Sequence, residues 1–304
     1  MENDTKLMCL IVTYNRLKLL KKTLTTYDNQ SVKPKEILIV NNNSNDGTAE
    51  FLNVWKNIES GYKKNIINLR KNIGGSGGFY EGMKFFMQSE CNWLFLHDDD
   101  AYLEKETLEN LYKHIEENKR NKVAAICGEI IDKNEINVYH RRNIVEGILK
   151  VRDIKIDKQS YNKNKFKINV FSFVGVAINK QILKEAGLVN RDFFIHFDDT
   201  EHSYRLSKYG EIFVYPDIKV HHDTKISTNN NADWRLYYDI RNKLYFYKNN
   251  FRKIIYIREY LHWKLVALKK KIKKDIKNEK ILEDALEDCK NDKLGINTKY
   301  IPNK

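Results

Sequence analysis

Trp93-Leu94-Phe95-Leu96-His97-Asp98-Asp99-Asp100 is an apolar run that ends in three acids. Trp93–Leu96 reads as a short strand buried on both faces, with its polar end at the carboxyl side. The same unit recurs outward from it. Upstream, Leu7–Val12, Glu36–Val40 and Ile66–Leu69 read as further strands. Between them, Arg16–Thr26 sets Leu17, Leu20 and Leu24 at helical spacing. Thr48–Ile58 sets Phe51, Leu52, Trp55 and Ile58 on one helical face, and Phe79–Met87 reads as a helix after a glycine cluster. Downstream, Leu108, Leu111, Tyr112 and Ile115 mark a helix and Val123–Cys127 a strand. This alternation predicts an α/β fold with a mainly parallel sheet flanked by helices.

Ligands of such sheets bind beyond the carboxyl ends of the strands. Polar clusters stand at four of those ends: Thr13-Tyr14-Asn15, residues 41–46, residues 70–78 and His97–Asp100. The middle, 132–167, is polar and carries no clear element. Ile168–Ile178 and Ile212–His222 are strand-like, Gln181–Ala186 is helix-like, and a helix runs through Arg205 and Tyr209. From Trp234 onward the pattern is of aromatic, basic helices.

With 41% hydrophobic and 31% charged residues, the 304-residue chain can bury a sizeable core, which excludes a disordered class. No run approaches the ~20 apolar residues of a membrane-spanning helix, and the start lacks a signal-peptide core. Cys9, Cys91, Cys127 and Cys289 show no metal or redox spacing, so a reducing cytoplasm is expected. Of the net charge of +13, Arg241–Lys280 supplies +11, and the rest is near neutral.

Four stretches carry candidate chemistry. Asp98 and Asp100, alternate residues of an extended chain, can share one ligand, and oxygen ligands suit Mg²⁺ or Mn²⁺. An acidic turn capping the next helix is the plainer reading. Asn72-Ile-Gly-Gly-Ser-Gly-Gly-Phe-Tyr-Glu-Gly82 joins a strand to a helix, where bare backbone and a helix N-terminus favour phosphate. It lacks the Gly-Lys-Ser/Thr of a Walker loop. Phe197-Asp198-Asp199-Thr200-Glu201 sets acids among aromatics. Such surroundings raise a carboxylate pKa towards a general base's range. One Asp is also expected to N-cap a helix there. Val220-His221-His222-Asp223 ends a strand, so one histidine can ligate a metal while the other faces away.

Together these motifs resemble the family 2 glycosyltransferases of GT-A fold. Leu10-Ile-Val-Thr-Tyr-Asn-Arg16 is similar to the opening strand. Ile39-Val-Asn-Asn-Asn-Ser-Asn-Asp-Gly-Thr48 is similar to the second strand and base-binding turn, and His97-Asp-Asp-Asp100 to the DXD motif. Phe197-Asp-Asp-Thr-Glu201 is similar to the acceptor-side acidic motif, and Tyr238-Asp-Ile-Arg-Asn242 to a tail pattern of the rhamnosyl and galactofuranosyl branch.

The resemblance implies metal ligands Asp98, Asp100 and His222, with His221 still open. Pro216 stands six residues before His222, as in that branch. It implies Asp199 as base and Asp198 and Glu201 as acceptor-binding residues. The donor site it implies is Thr13, Tyr14, Asn15, Arg16, Asn41, Asn72, Gly74, Gly75, Ser76 and Asp99. The family usually has Asp at Asn41, whose donor and acceptor pattern differs. The catalytic domain would be 1–232, with a nucleotide-sugar half to about 130 and an acceptor half beyond, followed by a helical basic tail, 233–304.

The expected activity is inverting transfer of a sugar from a nucleotide donor to a glycan or glycolipid hydroxyl, as in bacterial surface polysaccharide synthesis. UDP-galactofuranose is favoured by the glycine loop, and dTDP-rhamnose is the alternative. A nucleotidyltransferase would share the fold but have less use for the second acidic motif. A nucleic-acid binder would explain the basic tail but not acids at strand ends, so no nucleic acid is expected. The tail holds Tyr245, Phe246, Tyr247, Phe251, Tyr256, Tyr260 and Trp263 among its cations. Either 241–280 meets the inner face of a membrane, or the aromatics pack the tail and leave only Lys269–Lys280 solvated.

Overall fold

The computed structural model describes residues 4–223 and 233–301. In chain order the first elements are β1 (Leu7–Thr13), α1 (Leu17–Asp28), β2 (Glu36–Asn41), α2 (Thr48–Asn57), β3 (Lys63–Asn68), α3 (Gly74–Gln88), β4 (Trp93–Asp98), β5 (Ala101–Leu103), α4 (Thr107–Glu117) and β6 (Val123–Asp132). Then come β7 (Glu135–Ile136), β8 (Arg141–Glu146), β9 (Val151–Lys155), β10 (Phe166–Ile168), β11 (Val170–Phe171), β12 (Val176–Asn179), α5 (Lys180–Ala186), α6 (Asp198–Leu206) and β13 (Glu211–His222). The tail forms α7 (Asp233–Asn250), α8 (Lys253–Ile272) and α9 (Ile276–Lys290). The expected domain boundary after residue 232 adjoins 224–232, which lies outside the described residues.

β4, β1, β2 and β3 lie side by side and parallel, so their carboxyl ends leave the sheet at one edge. β1, β2 and β4 are buried almost throughout, which is why their apolar runs do not alternate. Odd residues of β1 (Leu7, Cys9, Ile11) pack with Leu20, Leu24 and Trp55 of α1 and α2. Even ones (Met8, Leu10, Val12) pack with Phe79, Met83 and Phe86 of α3. Beyond β4 the sheet continues through antiparallel β12 to the parallel pair β6 and β13, with β10 at the edge. Pro216 falls where β13 slips register against β6, between Tyr215 and Lys219, as a residue without an N–H requires.

Three expectations need correction. The glycine cluster does not precede α3 but forms its first turn from Gly74. Ile168–Ile178 is three strands, not one, because Asn169 bonds the backbone of Ile144 on β8 and Gly175 takes a left-handed φ of 64°. The polar middle is also structured: β8 and β9 form a hairpin, with β11, in a second sheet.

The tail is packed. Tyr237, Tyr238, Leu282 and Leu286 build a third core, against which Tyr245, Tyr256, Tyr260 and Trp263 lie partly buried. Phe246 and Tyr247 are buried in a fourth, with Phe251 against it. The aromatics thus serve the packing of the tail.

Candidate active site

β4 leaves the extended conformation at Asp98, and Asp99 and Asp100 turn into β5. β5 pairs with the end of β13 and sets His222 opposite Ala101. His222 Nε2 lies 3.1 Å from Asp100 Oδ1 and 4.0 Å from Asp98 Oδ2. One ligand atom from each of the three falls within 4.8 Å of the others. Asp98 and Asp100 therefore do meet, but through the turn and not through strand alternation. His221 faces the other way, to Glu104 at 2.9 Å.

Burial, and then the charge of Asp100, pushes the Asp98 carboxyl up to about 7. Burial would also raise Asp100, but the His222 hydrogen bond and charge, with Arg16, hold it below the ordinary value. Two carboxylates so close, one unable to ionise readily, form a site short of positive charge. Two carboxylates and an imidazole, mostly buried, fit a divalent cation that also takes ligand oxygens.

Asp99 turns away from this cluster. It accepts from Thr13 Oγ1 at 2.6 Å and from Arg16 Nη1 at 3.2 Å, and Arg16 also reaches Asp100 at 2.9 Å. Tyr14 is exposed at the rim. Asn15, with φ 53°, clasps the β2–α2 turn through Ser44 and Asn45. Asn41 does not face the cleft: its amide bonds Asn68 and accepts from the Ser44 N–H. Its neighbour Asn42, which sequence reasoning missed, is buried and bonds Asn72, Ile73 and Gly74.

Of the glycine cluster, only Gly74 and Gly75 line the cleft. Gly74 has φ 78°, and a Cβ there would stand 2.0 Å from the Phe194 carbonyl oxygen. Side chains at Gly78 and Gly82 would strike Val12 and Leu10, so these serve helix–sheet packing. Ser76 is buried, with its hydroxyl beside Asp198.

The second acidic group opens α6. Neither Asp caps the helix. Phe197 holds the N-cap position at φ 64°, without a side-chain cap, and Asp198, Asp199 and Glu201 occupy the first turn. Asp199 Oδ1 accepts from the amide and hydroxyl of Thr200, whose hydroxyl also accepts from Arg142 at 2.9 Å. Burial, and then Asp199, pushes Asp198 up to about 7. Burial also raises Asp199 despite Arg142 nearby. Glu201 instead pairs with Arg205, at 2.8 and 2.9 Å, and does not line the cleft.

The loop before Asp198 is strained, with Phe194, His196 and Phe197 all at positive φ. Helix α7 holds it there. Buried Asn242 donates to the carbonyls of Phe193, Ile195 and His196. Buried Arg241 reaches those of Asp192 and Phe193. The Tyr238–Asn242 pattern flagged these residues, but not what they do.

One cleft of about 470 Å³ takes in Thr13, Tyr14, Arg16, Asn72, Gly75, Asp98, Asp99, Asp198, Asp199 and His222. A second, of about 560 Å³, adjoins it across Arg16, Asp98 and His222. His140 and Ser172 also line the first, hydrogen-bonded to each other. Burial, and then Arg141, lowers His140 to about 3, so it is neutral. Nothing in the polar middle signalled it. Trp234 and Arg235 of α7 close the same cleft.

The family model described as Glycosyl transferase family 2 matches residues 8–187. The dTDP-rhamnosyl transferase RfbF of Shigella flexneri is 26% identical over 268 residues, 84% of this chain and 85% of its own. The galactofuranosyltransferase GlfT1 of Mycolicibacterium smegmatis is 25% identical over 208 residues, 68% of this chain and 67% of its own. In fold, the chain is similar to the crystal structure of GalNAc-T7 with UDP, GalNAc and Mn²⁺. The TM-score is 0.64 at 12% identity, over 96% of this chain and 57% of that one.

Proposed function

The chain belongs to glycosyl transferase family 2 and is a glycosyltransferase of GT-A fold, and from that premise we propose that it transfers a sugar, with inversion, from a nucleotide-diphosphate donor to an acceptor hydroxyl. The carrying observation is that Asp98 and His222 of the Asp98–Asp100–His222 cluster line the same cleft as the Asp198–Asp199 pair, with Asp100 on the adjoining cleft that Asp98 and His222 also line. In this reading Asp98, Asp100 and His222 hold a divalent cation, Mn²⁺ or Mg²⁺. When bound, it would supply positive charge against the departing diphosphate.

Thr13, Tyr14, Asn15, Arg16, Asn72, Gly74, Gly75 and Asp99 bind the donor, with Arg16 kept in place by its acids. Asn41 and Ser76 contribute from behind, through the β2 turn and through Asp198. Asp199 takes the proton from the acceptor hydroxyl as its oxygen attacks the anomeric carbon. The bond from that carbon to the diphosphate oxygen breaks, and the nucleoside diphosphate leaves. Asp198 binds the acceptor, and Glu201 acts through Arg205 to fix α6. In this reading 1–232 is the catalytic unit and 233–304 a tail that braces it.

UDP-galactofuranose and dTDP-rhamnose are the donors to test first, since relatives carry both names and the rhamnosyl relative matches more of the chain. The acceptor is a glycan or glycolipid, and the enzyme works in the cytoplasm, in contact with the inner face of a membrane through 241–280. A screen of sugar nucleotides with Mn²⁺ tests this, scoring nucleoside diphosphate release and thermal stabilisation. Turnover of one donor, lost in EDTA, is expected. Metal-free oligonucleotide binding with no donor stabilisation would sink the reading.

A further inference from the structure

We propose that the outward face of α8, with the tip of the β8–β9 hairpin, binds the surface of a membrane that carries anionic lipid. Helix α8 is 20 residues long, about 30 Å. Its inward face is spent on the tail's own core through Ile255, Ala267, Tyr256, Tyr260 and Trp263. Its outward face carries Ile254, Ile257, Leu261, Leu265, Leu268 and Ile272, between 39% and 73% exposed. Their spacing of three and four residues makes one stripe along the whole helix.

Cations border the stripe on both sides: Arg258 and Lys269 on one, Lys253, Lys264 and Lys271 on the other. The only acid of α8, Glu259, turns inward to Lys243 at 2.6 Å and to Trp263. The exposed face of α8 is thus aliphatic at the centre and cationic at the edges, and the acids beside it belong to α9, where Glu279 pairs with Lys271 at 3.6 Å and Glu283 and Glu287 line the groove along Leu261, Leu265 and Leu268.

A second patch adjoins it. Ile148 and Leu149, at the tip of the β8–β9 hairpin, are 80% and 55% exposed. Arg252, the residue before α8, donates to the carbonyls of Gly147 and Ile148 and pairs with Glu146 at 2.9 Å. The tip is therefore tied to the start of the stripe.

An apolar stripe between cations suits the boundary of headgroups and acyl chains, with lysines reaching anionic phosphates. A second copy fits less well, because a two-fold axis through the stripe brings cations against cations. A nucleic acid would match the cations but leave six aliphatic side chains wet, with no ring in the stripe for a base to stack on. The proposal rests on the glycolipid acceptor reading for its purpose, but binding itself needs neither donor nor acceptor.

The test is co-sedimentation of the full chain with phosphatidylcholine vesicles, pure or with about one third phosphatidylglycerol, at two salt concentrations. Binding to the anionic vesicles, weakened by salt, is expected. Leu261→Asp with Leu265→Asp should abolish it. Lys264→Glu and Lys269→Glu should each weaken it by about fivefold or more. These positions are exposed, so unchanged circular dichroism and thermal midpoint are expected alongside.

Equal, negligible binding to both vesicle types overturns the proposal, as does undiminished binding by the double aspartate variant. So does a concentration-dependent dimer that the same variant dissolves, since a second copy would then cover the face. None of these outcomes touches donor turnover, so the transferase reading stands or falls separately.

Discussion

The two acidic groups of the cleft are held in different ways. Asp98 ends a buried parallel strand, and its place follows from pairing with β1, where Val12 stands opposite. Asp100 and His222 join it through the short β5–β13 ladder. Asp198 and Asp199 follow a loop with three aromatic or histidine residues at positive φ, fixed by side chains from α7 more than forty positions later. The first group is a property of the sheet. The second depends on the tail, which makes the tail part of the site's framework.

The largest effect should fall on the sheet-borne group. Asp100→Asn should cost about 10³ in transfer and remove metal-dependent nucleotide binding, measured by calorimetry with and without Mn²⁺. Full activity of this variant would end the metal assignment.

The loop-borne group should separate chemistry from binding. Asp199→Asn should lose about 10² or more in kcat while donor affinity persists. If instead Asp198→Asn is dead and Asp199→Asn active, the roles within the pair are exchanged. Because burial raises both carboxyls, Asp198 to about 7, the pair takes up a proton above the ordinary carboxylate range. Transfer should therefore fall as the pH drops through that raised range. A rate unchanged down to pH of about 4 would place the base elsewhere.

Asn242→Ala tests the clamp itself. It strips three carbonyls of their shared donor and should cost about 1–3 kcal/mol in stability. It should also lower kcat with donor affinity intact, since the loop it frees carries Asp199. Loss of donor affinity in proportion would mean general unfolding and erase the contrast.

The smallest effect is at Gly75, where an added Cβ meets nothing within 4 Å. Gly75→Ala should leave stability unchanged or raise it by up to about 1 kcal/mol, measured by denaturant titration. Gly74→Ala, two ångströms from a carbonyl oxygen, should not fold normally.

The sequence by itself determined the βα alternation, the strand ends and the acids on them. Those depend on local periodicity and on burial of whole strands, which each segment carries within itself. It also marked Gly74 as a donor-site residue, and Arg241 and Asn242 as part of a motif without a role. Tertiary structure alone decided the rest. Asn41 turned to Asn68 while Asn42 entered the site's bonding, because neighbouring side chains leave a strand end in opposite directions. His140 reached the cleft from a polar stretch with no periodic signal. Glu201, one turn from Asp198, was claimed by Arg205. The tail aromatics went inward and the aliphatics of α8 outward, because helical spacing defines faces and only the packing partner decides which face is covered.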